Sequence, residues 1–131
     1  MTGEQDLTIL RRQMSPRLHD GTYVYCCFAD FKLPPGLQPM CTVLELEGLT
    51  AVVEKSAALE RGAPFVFESR LITLTIHSSL EAIGFTALVA GRLAEEGIAC
   101  NAMAGYHHDH LLVPAARADD AMRVLRELSS E

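Results

Sequence analysis

A run of four residues, His107-His108-Asp109-His110, holds the densest set of chemically active side chains in the sequence. His108 and His110 stand two residues apart, so they share one face of an extended segment, and Asp109 between them could orient an imidazole. Such a group is a candidate for a metal site or for acid–base catalysis. The spacing is not that of a standard zinc motif, however, and an aspartate in a tight turn accepts hydrogen bonds from its own backbone. We therefore interpret the run as a solvated hairpin turn, with no metal and no catalytic residue.

A second candidate is the loop at residues 77–84, HSSLEAIG, which follows a predicted strand and precedes a predicted helix. The first turn of a helix presents unpaired backbone N–H groups and the positive end of the helix dipole, which suits a carboxylate. The hydroxyls of Ser78 and Ser79 can donate hydrogen bonds, and Glu81 can pair with an ammonium group. One short loop could therefore hold both charges of an amino acid. The alternative is that Ser79 only caps the helix, and that Glu81 interacts favourably with the helix dipole.

Asn101 and Met103 alternate along the next predicted strand and share one of its faces. The opposite face carries small apolar residues, Ile98, Cys100, Ala102 and Ala104. This apolar set suits packing against helices, which places Asn101 and Met103 on the open side or the edge of the sheet. Because asparagine is disfavoured in the middle of a strand, its presence indicates either a ligand contact or a hydrogen bond at an interface.

The four cysteines, Cys26, Cys27, Cys41 and Cys100, give no sign of a metal or redox site. Cys26 and Cys27 are adjacent, so they point to opposite faces of a strand and cannot easily clamp one ion. No C-x-x-C pair is present. We expect reduced, mostly buried thiols that act as small hydrophobic residues.

The elements that position these groups are clearest in the second half of the sequence. It reads as strand, helix, strand, strand and helix, over residues 71–76, 85–96, 98–106, 110–113 and a last helix after Pro114. The first strand alternates apolar residues with threonine, as a half-buried strand does. The first helix has apolar residues at helical spacing and ends at Gly97. The last helix carries one apolar stripe of Ala118, Ala121, Met122, Leu125 and Leu128.

The first half repeats this order with one replacement. A short helix at residues 7–14 precedes a strand at 22–28, a hairpin of strands at 40–46 and 49–53, and a helix at 54–61. Residues 29–39 contain three prolines and are predicted to be irregular where the second half has a helix. The predicted fold is α+β: two ferredoxin-like βαββαβ units, the first degraded, with antiparallel sheets and helices on one face. We place the units at residues 1–65 and 66–131.

Composition excludes several classes of protein. A net charge of −6 argues against nucleic acid as a partner, because that binding depends on neutralising phosphates with Lys and Arg. No apolar run approaches the roughly 20 residues that a membrane span needs. The first six residues, MTGEQD, are polar and acidic, unlike a secretion signal. We expect a globular cytoplasmic protein.

The second half resembles an ACT domain, the small regulatory βαββαβ module that senses amino acids. The matching features are the strand at 71–76, the loop that ends in Gly84, the helix that ends at Gly97, Asn101 in the second strand, and the segment 106–114 before the last helix. The loop lacks the Asp-x-x-Gly opening that is frequent in ACT domains. The whole chain is similar to short bacterial tandem ACT proteins that stand alone, without an attached enzyme.

The resemblance implies a non-catalytic regulatory protein without a cofactor. It would bind a small molecule, an amino acid, and act through a partner or through oligomerisation, as a homodimer or a higher homo-oligomer. In ACT domains a ligand commonly lies between the loop of one subunit and the second strand of its neighbour. The expected ligand-binding residues are His77, Ser78, Ser79, Leu80, Glu81, Ile83, Gly84, Asn101 and Met103.

Two other functions stay open. A structural dimerisation module without a ligand would need a dry interface, which the polar Thr73 and Thr75 disfavour. An enzyme would combine the histidines with Cys100 or Glu81, but no recognisable catalytic motif joins them. RNA-binding modules of the ferredoxin-like fold need stacking aromatics and a basic surface, which this sequence lacks.

Overall fold

Strands and helices both occur in each half of residues 3–131, the part of the chain that this computed structural model describes. The elements are, in chain order, α1 (Leu7–Gln13), β1 (Pro16–Leu18), β2 (Tyr23–Phe28), β3 (Cys41–Leu44), β4 (Leu49–Glu54), α2 (Lys55–Glu60), β5 (Val66–Leu74), α3 (Phe85–Glu95), β6 (Asn101–Ala104), β7 (Asp109–Pro114) and α4 (Ala118–Ser130). One 3-10 turn, Ala115–Arg117, leads into α4. The chain packs as two units. The terminal unit comprises Met1–Asp20 and Arg70–Glu131, and the inserted unit comprises Gly21–Ser69.

The terminal unit has a ferredoxin-like sheet. Its outer strand, β1, comes from the N-terminal part of the chain, whereas its other strands come from the second half. Its strands lie in the order β1, residues 70–74 of β5, β7 and β6. β1 pairs antiparallel with β5, and β6 pairs antiparallel with β7. The three residues of β1 occupy the position that the fourth strand has in the ferredoxin-like order. This strand was not predicted, because three residues at Pro16 show no periodicity.

The helices of the terminal unit cover one face of its sheet, as predicted. The strands contribute Ile72, Leu74, Leu111 and Val113 to a buried cluster, and α1, α3 and α4 contribute most of the remainder. The predicted apolar stripe of α4 is confirmed, since Ala118, Ala121, Met122, Leu125 and Leu128 are all buried. Asp119 and Asp120 lie in the first turn of α4, where their negative charges interact favourably with the positive end of the helix dipole.

The inserted unit repeats the same strand order without the first helix. Its antiparallel sheet runs β3, β4, β2 and residues 66–69 of β5. Residues 29–39 form turns and irregular chain, as the prolines predict, and α2 packs on the sheet around a small buried cluster that includes Val24, Val53 and Ala58. The prediction of two ferredoxin-like units, the first degraded, is therefore confirmed.

Several predicted boundaries shift. β6 covers only residues 101–104 of the predicted 98–106, and Asp109 begins β7 instead of lying in the turn. The division of the sequence into two repeats at residue 65 stays a prediction. In the structure, residues 3–20 pack with residues 70–131, in the terminal unit. Met1 and Thr2, on which part of the N-terminal prediction rests, lie outside the described residues. No helix within residues 3–131 is long and apolar enough to cross a membrane.

Candidate functional site

The predicted binding loop lies between β5 and α3 and is held by the N-terminal segment. The Glu4 N–H donates to the carbonyl of His77 at 2.8 Å, and the Ser79 N–H donates to the carbonyl of Glu4 at 2.9 Å. A Cβ at Gly3 would lie 2.8 Å from the Ser79 nitrogen, so a side chain there would collide with the loop backbone. This support was not predicted, because it joins residues more than seventy positions apart.

Both serines of the loop have their hydroxyls engaged inside the protein. Ser78 is buried and its Oγ donates to Oδ2 of Asp109 at 3.0 Å. Ser79 is also buried, and its Oγ accepts from the Glu81 N–H at 3.1 Å. The alternative that Ser79 caps the helix is wrong, since the N-cap of α3 is Gly84. These two serines therefore shape the loop: the Ser78 hydroxyl donates to Asp109, and the Ser79 oxygen accepts from the backbone of the loop itself.

The start of α3 is the part of the site that presents unused polar groups. Gly84 at the N-cap has a φ of +89°, which favours glycine, and no side chain within residues 3–131 caps the first turn. Unpaired N–H groups at this end of an eleven-residue helix suit an anion. Around it, Glu81 is exposed, and Leu80 and Ile83 have 53% and 88% of their surface exposed.

Asn101 and Met103 lie on β6, at the edge of the sheet of the terminal unit. Asn101 is exposed and pairs with Leu112, whereas Ala104 at the other end of β6 pairs with Asp109, the partner of Ser78. Three residues of strand span about 10 Å. Within one chain, the register thus sets Asn101 apart from the loop, at the far end of the strand.

The predicted packing of the small residues of this strand is partly wrong. Ile98 is buried and Cys100 packs against the core, but Ala102 and Ala104 are exposed. The reason is that β6 is an edge strand, and the helices cover the sheet closer to its centre. Met103 is half-buried opposite His110.

A hydrogen-bonded cluster of two histidines and a threonine joins neighbouring strands of the terminal unit. Nε2 of His19 lies 2.7 Å from Oγ1 of Thr73, and Nδ1 of His110 lies 2.9 Å from the same oxygen. Thr73 is buried, with 7% of its surface exposed. The hydroxyl of this buried threonine is therefore satisfied by two imidazoles.

Burial lowers the pKa of both imidazoles. For His19, burial is the largest cause, Arg17 adds to it and Asp20 opposes it. For His110, burial is again the largest cause, and the neighbouring imidazoles lower the pKa further. Both rings therefore favour their neutral forms, which can donate from one nitrogen and accept at the other.

The hairpin at residues 107–110 is only partly the solvated turn that the sequence predicts. Asp109 is buried and accepts from Ser78, not from its own turn, and Nδ1 of His108 lies 3.2 Å from the carbonyl oxygen of Ile76. The hairpin thus supports the binding loop through these hydrogen bonds.

Nε2 of His77 is buried without a hydrogen-bond partner among residues 3–131. In the same range, no group of three or more His, Cys, Asp and Glu could hold a metal ion.

Two of the cysteines, Cys26 and Cys100, lie in surroundings that do not activate a nucleophile. Burial raises the pKa of Cys100 to about 11 and also raises the pKa of Cys26, which keeps both thiols protonated. All four cysteines are free thiols. An enzyme built on Cys100 is therefore not supported by its surroundings.

Two models of the ACT domain match the chain, over residues 2–70 and 66–127. No curated protein matches. A protein of unknown function from Vibrio cholerae, described as a possible transport protein, is 42% identical with a TM-score of 0.82, and the match covers 94% of this chain and 95% of that one.

Regulatory parts of aspartate kinases share the fold. The regulatory subunit of aspartate kinase from Thermus thermophilus is 11% identical, with a TM-score of 0.68 over 88% of this chain and 97% of that one. Aspartokinase III of E. coli, in complex with aspartate and ADP, is 14% identical with a TM-score of 0.65, over 88% of this chain and 33% of the enzyme. The two matched models together cover nearly all of the sequence, and the chain belongs to the ACT-domain family, with two ACT domains in tandem.

Proposed function

We propose that this chain is a non-catalytic regulatory protein that binds an amino acid at the start of α3. The observation that carries the proposal is the uncapped first turn of α3 behind the left-handed Gly84. The α-carboxylate accepts from the free N–H groups of this turn. Glu81 pairs with the α-ammonium group, and the side chain of the ligand packs against Leu80 and Ile83, which are otherwise exposed to water.

The site is completed by a second copy of the chain. Within one chain, Asn101 lies three residues of strand, about 10 Å, beyond the end of β6 that is next to the loop, and in this proposal one ligand contacts both across a subunit interface. β6 supports this arrangement because it is an edge strand with exposed small residues, Ala102 and Ala104, that permit close approach. The protein then works as a homodimer or a higher homo-oligomer, and ligand binding shifts its assembly or its affinity for a partner.

Two further observations support the regulatory interpretation. Regulatory subunits of aspartate kinases share the fold, and one matched structure is a complex with aspartate. The thiol of Cys27 is exposed and unpaired, which suits a reducing compartment, and we place the protein in the cytoplasm.

The test is a thermal-shift screen against the twenty amino acids, followed by calorimetric titration of each hit. A ligand that binds only the native state stabilises it by about 2.7 kcal/mol at 100 times its Kd, which raises the melting temperature by several degrees. Ser78→Ala is a poor probe, because it also removes the hydrogen-bond donor of the buried Asp109 carboxylate.

The decisive variant is Thr86→Asp, with Thr86→Asn as its matched neutral control. Thr86 is exposed in the first turn of α3, where a carboxylate favours the helix dipole but repels the ligand carboxylate. We expect Asp to weaken ligand binding about ten-fold, which corresponds to about 1.4 kcal/mol, with no loss of folding stability. Equal affinity in the two variants would exclude the start of α3 as the carboxylate site.

A structural dimerisation module is the second candidate. It is favoured by Ile83, which is 88% exposed although apolar, as at a surface that a partner covers. This function predicts a stable dimer by analytical ultracentrifugation, weakened by Ile83→Asp, together with no thermal shift by any amino acid.

A further inference from the structure

A polar cleft in the inserted unit is separate from the site at α3. It has a volume of about 470 Å³ and opens where β2 begins, β4 ends and α2 faces the irregular segment at residues 36–40. Its polar groups are those of Tyr23, Gln38, Glu54, Glu60 and Arg61. A cleft of this size lies within the range of small-molecule sites.

Arg61 supplies a cation with unused hydrogen-bond donors. Its side chain is 27% exposed and extends over Gly36, where a Cβ would lie 3.1 Å from Nη2. The φ of Gly36 is +80°, so this contact with the backbone depends on glycine. Among the described residues the guanidinium has only a 3.4 Å contact with the carbonyl of Ala57 and a 3.8 Å ion pair with Glu60. Most of its five N–H groups therefore remain available to a carboxylate.

Glu54 and Tyr23 form the opposite, anionic end of the cleft. They are cross-strand partners at the junction of β4 and α2. Glu54 is the N-cap residue of α2, yet its side chain does not cap the helix, and it has no ion pair within residues 3–131. Burial and the Glu54 carboxylate raise the pKa of Tyr23, so its hydroxyl stays protonated beside that carboxylate. An exposed carboxylate and a phenol oxygen suit an ammonium group.

The two ends are held apart by α2. Glu54 precedes this helix and Arg61 follows it, which separates their backbones by about 10 Å along the axis at 1.5 Å per residue. The cleft thus has the Glu54 carboxylate at the start of α2 and the Arg61 guanidinium farther along the helix, where it reaches back to the Ala57 carbonyl and pairs with Glu60. An α-amino acid, whose two charged groups are bonded to one carbon, spans less of this distance than an ω-amino acid does.

We propose that this cleft binds an elongated dipolar molecule with an amine at one end and a carboxylate at the other. The carboxylate lies on Arg61, the amine lies between Glu54 and Tyr23, and an alkyl chain joins them along α2 past Ala57. The ligand class is that of ω-amino acids and of amino acids with a basic side chain. This site is independent of the one proposed at α3, because all of its residues belong to the inserted unit.

The test uses ε-aminocaproate as the probe, with caproate and hexylamine as its two halves, titrated into the whole protein by calorimetry. We expect saturable binding of ε-aminocaproate and much weaker binding of either half. Glu54→Gln and Arg61→Gln should each weaken the binding of ε-aminocaproate about ten-fold, which is the scale of one charge-assisted hydrogen bond. Glu68→Gln is the matched control, since Glu68 pairs with Lys55 in the same unit outside the cleft.

Three results would overturn this inference: no saturable binding of ε-aminocaproate, equal binding of caproate or hexylamine, or unchanged affinity in both cleft variants. Circular dichroism of each variant separates loss of the site from loss of the fold. Thr86→Asp keeps the two proposals distinct. It should leave the affinity for ε-aminocaproate unchanged, and a loss there would place the probe at α3 instead of in the cleft.

Discussion

The two units share one strand order but differ in the segment that comes after the first strand. In the terminal unit this segment is α3, an eleven-residue helix with an open first turn. In the inserted unit it is the irregular segment at residues 29–39, shaped by three prolines. The first arrangement presents backbone N–H groups, whereas the second leaves a cleft whose charges all come from side chains. The same topology therefore underlies both proposed sites, which differ in the groups that would contact a ligand.

The units also differ in how much apolar surface they bury. Among the described residues, sixteen form the main buried cluster of the terminal unit, against six in the inserted unit. Within the same part of the chain, α1, α3 and α4 belong to the terminal unit and α2 alone to the inserted unit. We therefore expect the inserted unit to exchange its amide hydrogens faster and to unfold at lower denaturant.

The largest expected effect comes from truncating a core residue in each unit. Leu125 of α4 is fully buried in the main cluster, and Leu125→Ala should cost about 3 kcal/mol, since the packed helices cannot close the cavity. Leu37 lies on the irregular segment, which can collapse, and Leu37→Ala should cost about 2 kcal/mol. Urea denaturation measures both, and a larger loss at Leu37 would contradict the difference between the cores.

The next effect concerns the polar cluster of the terminal unit. Thr73→Val removes the oxygen that both His19 and His110 contact, leaving two half-buried imidazole nitrogens unpaired. The expected loss is about 2 kcal/mol of unfolding free energy. Thr75→Val is the control. Its Oγ1 donates to the Ser15 carbonyl on the surface, so we expect a loss below about 1 kcal/mol there. Similar losses at both positions would show that the cluster of His19, Thr73 and His110 stabilises the fold no more than a surface hydrogen bond does.

The same cluster should make stability depend on pH. Because the pKa values of His19 and His110 are lowered by burial, the folded chain binds fewer protons than the unfolded chain below the ordinary value of 6.5. The contribution of these two histidines to stability is therefore fully present above pH 6.5. It is lost as the pH falls below 6.5 and through the lowered pKa values. Denaturation midpoints at a series of pH values measure the slope. His110→Gln should flatten it, and an unchanged slope would assign the dependence to other groups.

The smallest expected effects compare two glycines of one helix. Gly84 has a φ of +89° at the N-cap of α3, and Gly84→Ala should cost about 1 kcal/mol. Gly91 lies within α3 with open space around its Cα, and Gly91→Ala should stabilise the protein by about 0.5–1 kcal/mol. Thermal unfolding should show a lower melting temperature for Gly84→Ala and a higher one for Gly91→Ala. Two changes of the same sign would mean that Gly84 does not need its left-handed conformation.

Local periodicity predicted most of the fold. Alternation over residues 71–76, helical spacing up to Gly97, and the apolar stripe of α4 each depend on neighbours within a few positions, and all three elements are present. The irregular proline segment was predicted for the same local reason. Features that join distant residues were missed. These are β1 on the edge of the sheet, Glu4 against the loop, and the hydrogen bond between Ser78 and Asp109.

The candidate site shows the same division. The sequence alone determined that a loop rich in hydroxyls precedes a helix, that Asn101 lies on a strand, and that two repeats of one pattern fill the chain. Only the tertiary structure decided that the serine hydroxyls face inward, that the first turn of α3 stays open, and that Asn101 lies apart from the loop. The physical reason is that backbone conformation follows from local residue types. The direction and availability of each polar group depend on which distant residue can satisfy it when the chain packs.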